Sequence, residues 1–133
     1  MKLLFPRTVF FSSDKKLVNS IRNIFGFYPN NIFLYQLAFR HKSASNEFIN
    51  GLKLSNERLE YLGDAVLSSV IADYLFKKFP YKEEGFLTEM RSRIVSRSQL
   101  NKLSRKLGFD SLIESEASCN NHSKSLYGNA FEA

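Results

Sequence analysis

Glu57, Glu60 and Asp64 stand at i, i+3 and i+7. At about 100° per residue this spacing puts three carboxylates within about 60° of one another on an α-helix. Like charges so placed repel by roughly a few tenths of a kcal/mol per pair, and no Lys or Arg of the same helix sits three or four residues away to relieve them. One chemistry for such a face is the binding of a hard cation, since Mg²⁺ takes carboxylate oxygens and retained waters in octahedral geometry. The other reading is a solvated acidic face, because acids in a first turn already serve the positive end of the helix dipole. That second reading covers Glu57 and Glu60 but not Asp64, which lies in the second turn. Gly63 sits among them; a helix-interior glycine costs up to about 1 kcal/mol against alanine and marks a close approach by another part of the chain.

Other site chemistries have little to work with. Cys119 is the only cysteine, which excludes an intrachain disulfide and a thiolate zinc centre and reads as an inert loop thiol. His41 and His122 are the only histidines. His41 reads as a helix-end residue paired with a carbonyl, and no Ser and His arrangement suits nucleophilic catalysis. Lys and Arg number 19 against 13 Asp and Glu, a net charge of +6 that favours polyanionic partners such as nucleic acid. No apolar run approaches the roughly 18 residues that span a bilayer, and the apolar stretch after Met1 is broken before a signal peptide could form, so a cytoplasmic protein is expected.

The elements that must position the acids are helical. With 133 residues, one core is expected, and long stretches without Gly or Pro favour an all-α fold over a turn-dense sandwich. A first helix is expected from Ser13-Asp14 to Gly26, on Leu17, Ile21, Ile24 and Phe25. A second, capped by Asn30 or Asn31, runs to His41-Lys42, followed by a loop from Ser43 to Ser55 with a turn at Asn50-Gly51. The third and longest, capped by Ser55 or Asn56, ends at Phe79 before Pro80, with Leu59, Leu62, Val66 and Val70 as its core stripe. A fourth runs from Glu83 or Glu84 to Lys106 and is closed by Gly108. A turn around Asp110 to Ile113, a polar loop through Ser125 and a final helix from Leu126 complete the chain.

The stretch Asn56-Glu57-Arg58-Leu59-Glu60-Tyr61-Leu62-Gly63-Asp64-Ala65-Val66-Leu67 resembles the signature of the ribonuclease III catalytic domain of bacterial type. Phe39-Arg40-His41-Lys42-Ser43 upstream, Phe79-Pro80 with Glu83-Glu84-Gly85 downstream, and Asn129-Ala130-Phe131-Glu132-Ala133 at the end are similar to further family segments. The resemblance implies a homodimeric, all-helical endonuclease that uses Mg²⁺, or Mn²⁺ in its place, to cut double-stranded RNA in ribosomal and other RNA processing. It leaves 5′-phosphate and 3′-hydroxyl ends. Glu60, Asp64 and Glu132 would be metal ligands with Asn129, which stands where the family usually has Asp. Glu57 and Glu84 match two further acids, the latter reaching toward the partner's site, and Tyr61 matches an aromatic that packs across the dimer interface. Asn129 is neutral, so the site holds less charge and is expected to bind metal more weakly. A decayed, RNA-binding or scaffold domain is the rival reading.

Beside these acids the expected fourth helix carries Arg91, Arg93, Arg97, Lys102, Arg105 and Lys106 against one acid, Glu89. Such a helix lies along phosphates, as duplex RNA read by shape requires, with Arg91, Arg97, Lys102 and Arg105 as contacts; a solvated helix face is the alternative. The resemblance further implies that the family's domain continues past Ala133 into a packed helix and, usually, a double-stranded RNA-binding domain. The expectation is therefore a single catalytic domain over 1–133, shortened at its end, with no such second domain in this chain.

Overall fold

The computed structural model describes residues 12–115 and 125–133. Among them the order is α1 (Ser12–Phe25), α2 (Ile32–Phe39), β1 (Phe48–Ile49), β2 (Leu52–Lys53), α3 (Glu57–Lys78), α4 (Glu84–Ile94), α5 (Arg97–Lys106), a 3-10 turn (Phe109–Ser111) and α6 (Leu126–Glu132). The all-α expectation holds, apart from one short hairpin. The backbone forms two compact units, Met1–Tyr35 and Gln36–Ala133, with the boundary inside α2. In the first, α1 closes on Gly26 at φ +80°, whose N–H bonds the Arg22 carbonyl at 2.8 Å. Asn31 Oδ1 accepts the Phe33 N–H at 3.2 Å, as an N-cap side chain should.

In the second unit, α3 is flanked by α4 and α6, and α6 lies between α3 and α5. Leu75, Leu100, Phe109, Leu126 and Ala130 are buried there. The Phe109 ring meets Phe39 edge-on at 5.0 Å and Phe131 at 6.2 Å, contacts worth about 1 kcal/mol each beyond burial. A parallel bridge of Arg40 with Glu114 ties the end of α2 to the chain after the 3-10 turn. Asn56 precedes α3 but makes no side-chain cap; its amide instead donates to the Ala38 carbonyl at 3.2 Å, anchoring the helix start to α2.

Four expectations change. The region between Ser43 and Ser55 is not only loop: Asn50 and Gly51, at φ 51° and 77°, make the two-residue turn of a hairpin in which Phe48 pairs with Lys53. Helix α2 stops at Phe39, two residues short of His41, because the Phe39 carbonyl and the His41 N–H turn to bond the Glu114 backbone. The single fourth helix is two, broken where Ser96 adopts ψ 143° and its carbonyl starts α5 by accepting from Gln99 and Leu100. The fourth change concerns α3. Leu62, Val66 and Val70, expected in the core, are 59%, 54% and 58% exposed. The protected side is that of Gly63, Leu67, Ile71 and Leu75, the same side as the acids. Helix α3 is apolar on two faces, and periodicity alone does not say which face its own chain covers. Cys119, His122 and most of the polar loop through Ser125 lie outside the described residues.

Candidate active site

The first two turns of α3 present Glu57, Glu60 and Asp64, and α6 brings Asn129 and Glu132 against them. Gly63 makes the approach possible: a Cβ there would lie 1.5 Å from the Glu132 carbonyl oxygen and 2.5 Å from its carbon. Both are backbone atoms, so any side chain at 63 would force α3 and α6 apart. The close approach expected from a glycine among the acids is thereby located.

The acids form two sets. Glu57 pairs with Lys42 at 2.9 Å, a contact that holds the lysine's proton affinity above its ordinary value through the hydrogen bond and charge of Glu57. The repulsion seen in sequence is thus eased at this residue from outside the helix. Glu60 and Glu132 form the second set, half-buried. Burial pushes the Glu60 carboxyl above the usual carboxylate range; the nearby Glu57 adds to this, while Arg97, Lys42 and a hydrogen bond from the Asn129 side chain oppose it. Burial likewise raises Glu132, reinforced by Asp64 and Glu60 and opposed by Arg97. Glu60, Asp64, Glu132 and Asn129 therefore share one electrostatic neighbourhood, with the guanidinium of Arg97, at the start of α5, as its counter-charge.

Among the described residues, no three Asp, Glu, His or Cys side chains converge tightly enough to enclose an ion. The set is open, all oxygen, and short of a fourth carboxylate at Asn129. Donors of that kind suit a hard cation that keeps several of its waters, as Mg²⁺ does, and offer nothing to a thiophilic metal.

The remaining expected residues lie elsewhere. Glu84 opens α4, accepts from Thr88 Oγ1 at 2.7 Å, and with Arg91 of the same helix lines a groove of about 320 Å³ against Ala72, Asp73, Leu75 and Phe76 on the far half of α3. Eight residues of helix from Asp64 to Ala72 amount to about 12 Å, so Glu84 does not join the other acids within one chain. Of the four basic residues, Arg97 faces the acids, Lys102 is exposed, and the Arg105 guanidinium stacks on the Tyr127 ring of α6 at 4.5 Å. Tyr61 is 83% exposed. Among the described residues the His41 ring engages Ser43: Nδ1 contacts Ser43 Oγ at 2.9 Å and accepts the Ser43 N–H at 3.3 Å, and burial lowers its proton affinity. Sequence reasoning missed Lys42 and the acid-facing role of Arg97; both act across the fold, and local spacing carries no sign of them. It also passed over Gly128, although a helix glycine beside a site residue is the signal that Gly63 gave.

The Ribonuclease III domain family matches residues 57–133. Ribonuclease 3 of Bacteroides thetaiotaomicron is 46% identical over 123 residues, covering 92% of this chain and 40% of its own length. Ribonuclease 3 of Azobacteroides pseudotrichonymphae is 45% identical over 93% of this chain and 47% of its own. The crystal structure of the nuclease domain of ribonuclease III from Campylobacter jejuni superposes with a TM-score of 0.75 at 29% identity, covering 88% of this chain and 78% of that one. The fold is that of a ribonuclease III nuclease domain, and the chain belongs to the ribonuclease III family. It spans less than half the length of these two curated relatives.

Proposed function

We propose that this chain is the catalytic part of a divalent-metal-dependent endoribonuclease acting on double-stranded RNA. The observation that carries the reading is the meeting of Glu60, Asp64, Asn129 and Glu132 across α3 and α6, at a cost in repulsion that Arg97, Lys42 and the Asn129 hydrogen bond only partly offset. Glu60, Asp64, Glu132 and the Asn129 amide oxygen are the groups to hold Mg²⁺ or Mn²⁺. A bound divalent cation supplies activation of the attacking water and neutralisation of charge on the leaving oxygen. The residues fix the rest: the carboxylates orient the water, Glu57 stands at the edge of the site on its Lys42 pair, and exposed Lys102 and half-buried Arg91 offer contacts for phosphates, joined by the charges of Arg97 and Arg105. Water adds to phosphorus as the bond to O3′ breaks, leaving a 5′-phosphate and, after proton transfer to O3′, a 3′-hydroxyl.

The working unit is a homodimer. A second copy covering Leu62, Val66, Val70 and the neighbouring Tyr61 buries a stripe that one chain leaves open, and gives Glu84 a site to serve in the partner. A related nuclease-domain structure from Campylobacter jejuni is described as having flexibility in its region involved in dimer formation. The setting is cytoplasmic processing of structured RNA, including ribosomal precursors; among the described residues no helix is long and apolar enough to cross a membrane. Asn129 favours a second reading, a scaffold that binds RNA without cutting it.

The test is incubation of the chain with a perfect RNA duplex and Mg²⁺. Duplex fragments with 5′-phosphates, absent with a chelator and absent for single strands, are expected. Binding without cleavage at any metal concentration selects the scaffold, and neither binding nor cleavage overturns both readings.

A further inference from the structure

We propose that Asn101 is a positioning residue of this site, its side-chain oxygen fixing where α6 lies and so where Asn129 and Glu132 stand relative to Glu60 and Asp64. The inference rests on the functional reading above. Helix α6 has only seven residues, too few to hold a shape or place without tertiary partners. Its first-turn N–H groups have no acceptor within the helix, and Ser125 supplies no side-chain cap. The Gly128 N–H is instead bonded to Asn101 Oδ1 on α5 at 2.7 Å. The fit is close: a Cβ at Gly128 would lie 3.2 Å from that same oxygen, 3.5 Å from Leu100 Cβ and 3.9 Å from the Arg97 carbonyl.

Two ring contacts of α6 are of a different kind. The stack of Arg105 on Tyr127 and the ring contact of Phe131 with Phe109 tolerate some sliding, since ring geometry is broader than that of a hydrogen bond. The hydrogen bond at Gly128 does not, and it lies one residue from Asn129, which bonds Glu60. One turn further on, the Glu132 carbonyl occupies the space left by Gly63. The helix is thus pinned at one end to α5 and at the other to α3. A displacement of about 1 Å at reacting groups is enough to cost about a hundredfold in rate, so the pin acts on chemistry without touching substrate.

The experiment compares Asn101→Leu, which matches the size and removes the acceptor, with Asn101→Asp, which keeps an oxygen in place. Asn101→Ala replaces the leucine variant if that one is unfolded. Each is assayed for duplex cleavage over a Mg²⁺ titration, for thermal melting, and for exchange of the Gly128 amide. Loss of the acceptor should raise the Mg²⁺ concentration for half-maximal cleavage by about tenfold, as removal of a group that orients ligands does. The KM for RNA should be unchanged, and Asn101→Asp should restore the wild-type requirement. A lowered melting temperature with an unchanged Mg²⁺ requirement, or failure of Asn101→Asp to rescue, overturns the inference. If the wild type cleaves nothing, the functional reading falls instead. The inference is then judged by Mn²⁺ broadening of the Glu132 amide signal, which must weaken in Asn101→Leu and return in Asn101→Asp; no difference overturns it.

Discussion

Two faces of α3 run side by side along the same 22 residues, yet only one is completed by the chain's own fold. The face with Glu60, Gly63 and Leu67 is backed by α6, and Glu60 there and Glu132 on α6 are half-buried and raised in proton affinity. The face with Leu62, Val66 and Val70 is open, although each of these side chains gains about 1.5–3 kcal/mol on full burial. The helix therefore sets carboxylates beside its covered apolar residues and leaves a second apolar stripe uncovered, which stability of a lone chain does not favour. On the proposed reading the charged side serves a cation and the apolar side a second copy.

The largest test of the covered face is Asp64→Asn. It should abolish Mg²⁺-dependent cleavage while leaving the melting temperature unchanged or slightly higher, because a carboxylate set against Glu132 gives up repulsion when neutralised. Clear destabilisation in a thermal melt would mean that Asp64 has a structural partner and that this face is not built for a cation.

For the open face, Val66→Glu places a charge in the middle of the apolar stripe. Sedimentation should show the wild type as a dimer and the variant as a monomer, with little change in monomer melting because position 66 is exposed. Cleavage should fall with dimerisation if Glu84 serves the partner's site. An unchanged dimer would show that the stripe is covered by something other than a second copy.

How far these faces could be read from sequence differs for each. The acids and Gly63 were legible because i, i+3 and i+7 spacing is a property of one helix, and the close approach at Gly63 follows from what a glycine costs. The boundary at Pro80 was legible for the same local reason. The covered side of α3 was not: Leu62, Val66 and Val70 and the set Leu67, Ile71 and Leu75 each satisfy helical periodicity, and the choice is made by α6, far away in the chain. The break at Val95-Ser96 was hidden because Ile94 and Leu100 keep the apolar pattern going across it, with no Gly or Pro to interrupt. Lys42 and Arg97 act on the acids through space, which spacing does not encode.

A smaller effect separates the covered face from the rest of the surface by pH. Glu60 and Glu132 have folded-state proton affinities above their ordinary values, so the folded chain binds more protons than the unfolded one between the ordinary carboxylate range and those raised values. Their favourable contribution is fully present below the ordinary range and is lost as pH rises through the raised values. Melting temperature in the absence of metal should therefore show a downward component across that window, diminished in Glu60→Gln. Saturating Mg²⁺ should remove it, since both carboxylates then ionise against the cation. A wild-type profile unaffected by Glu60→Gln would mean the acids are solvated rather than pressed together.

The smallest expected change, Asn129→Asp, bears on whether the covered face still does chemistry. The Asn129 amide hydrogen-bonds Glu60 and opposes the rise in its proton affinity that burial and the charge of Glu57 produce. An aspartate cannot donate that bond, so the metal-free chain should lose some stability. With metal the sign reverses: a fourth carboxylate facing the cation should tighten Mg²⁺ binding and raise cleavage roughly several-fold at low metal, with the gain shrinking at saturation. A scaffold that has lost its chemistry should remain silent, because one restored charge does not rebuild an active site. If instead an active wild type loses activity on this change, the amide is needed as a donor that holds Glu60 in place. The covered face would then rely on a hydrogen bond rather than on a further charge.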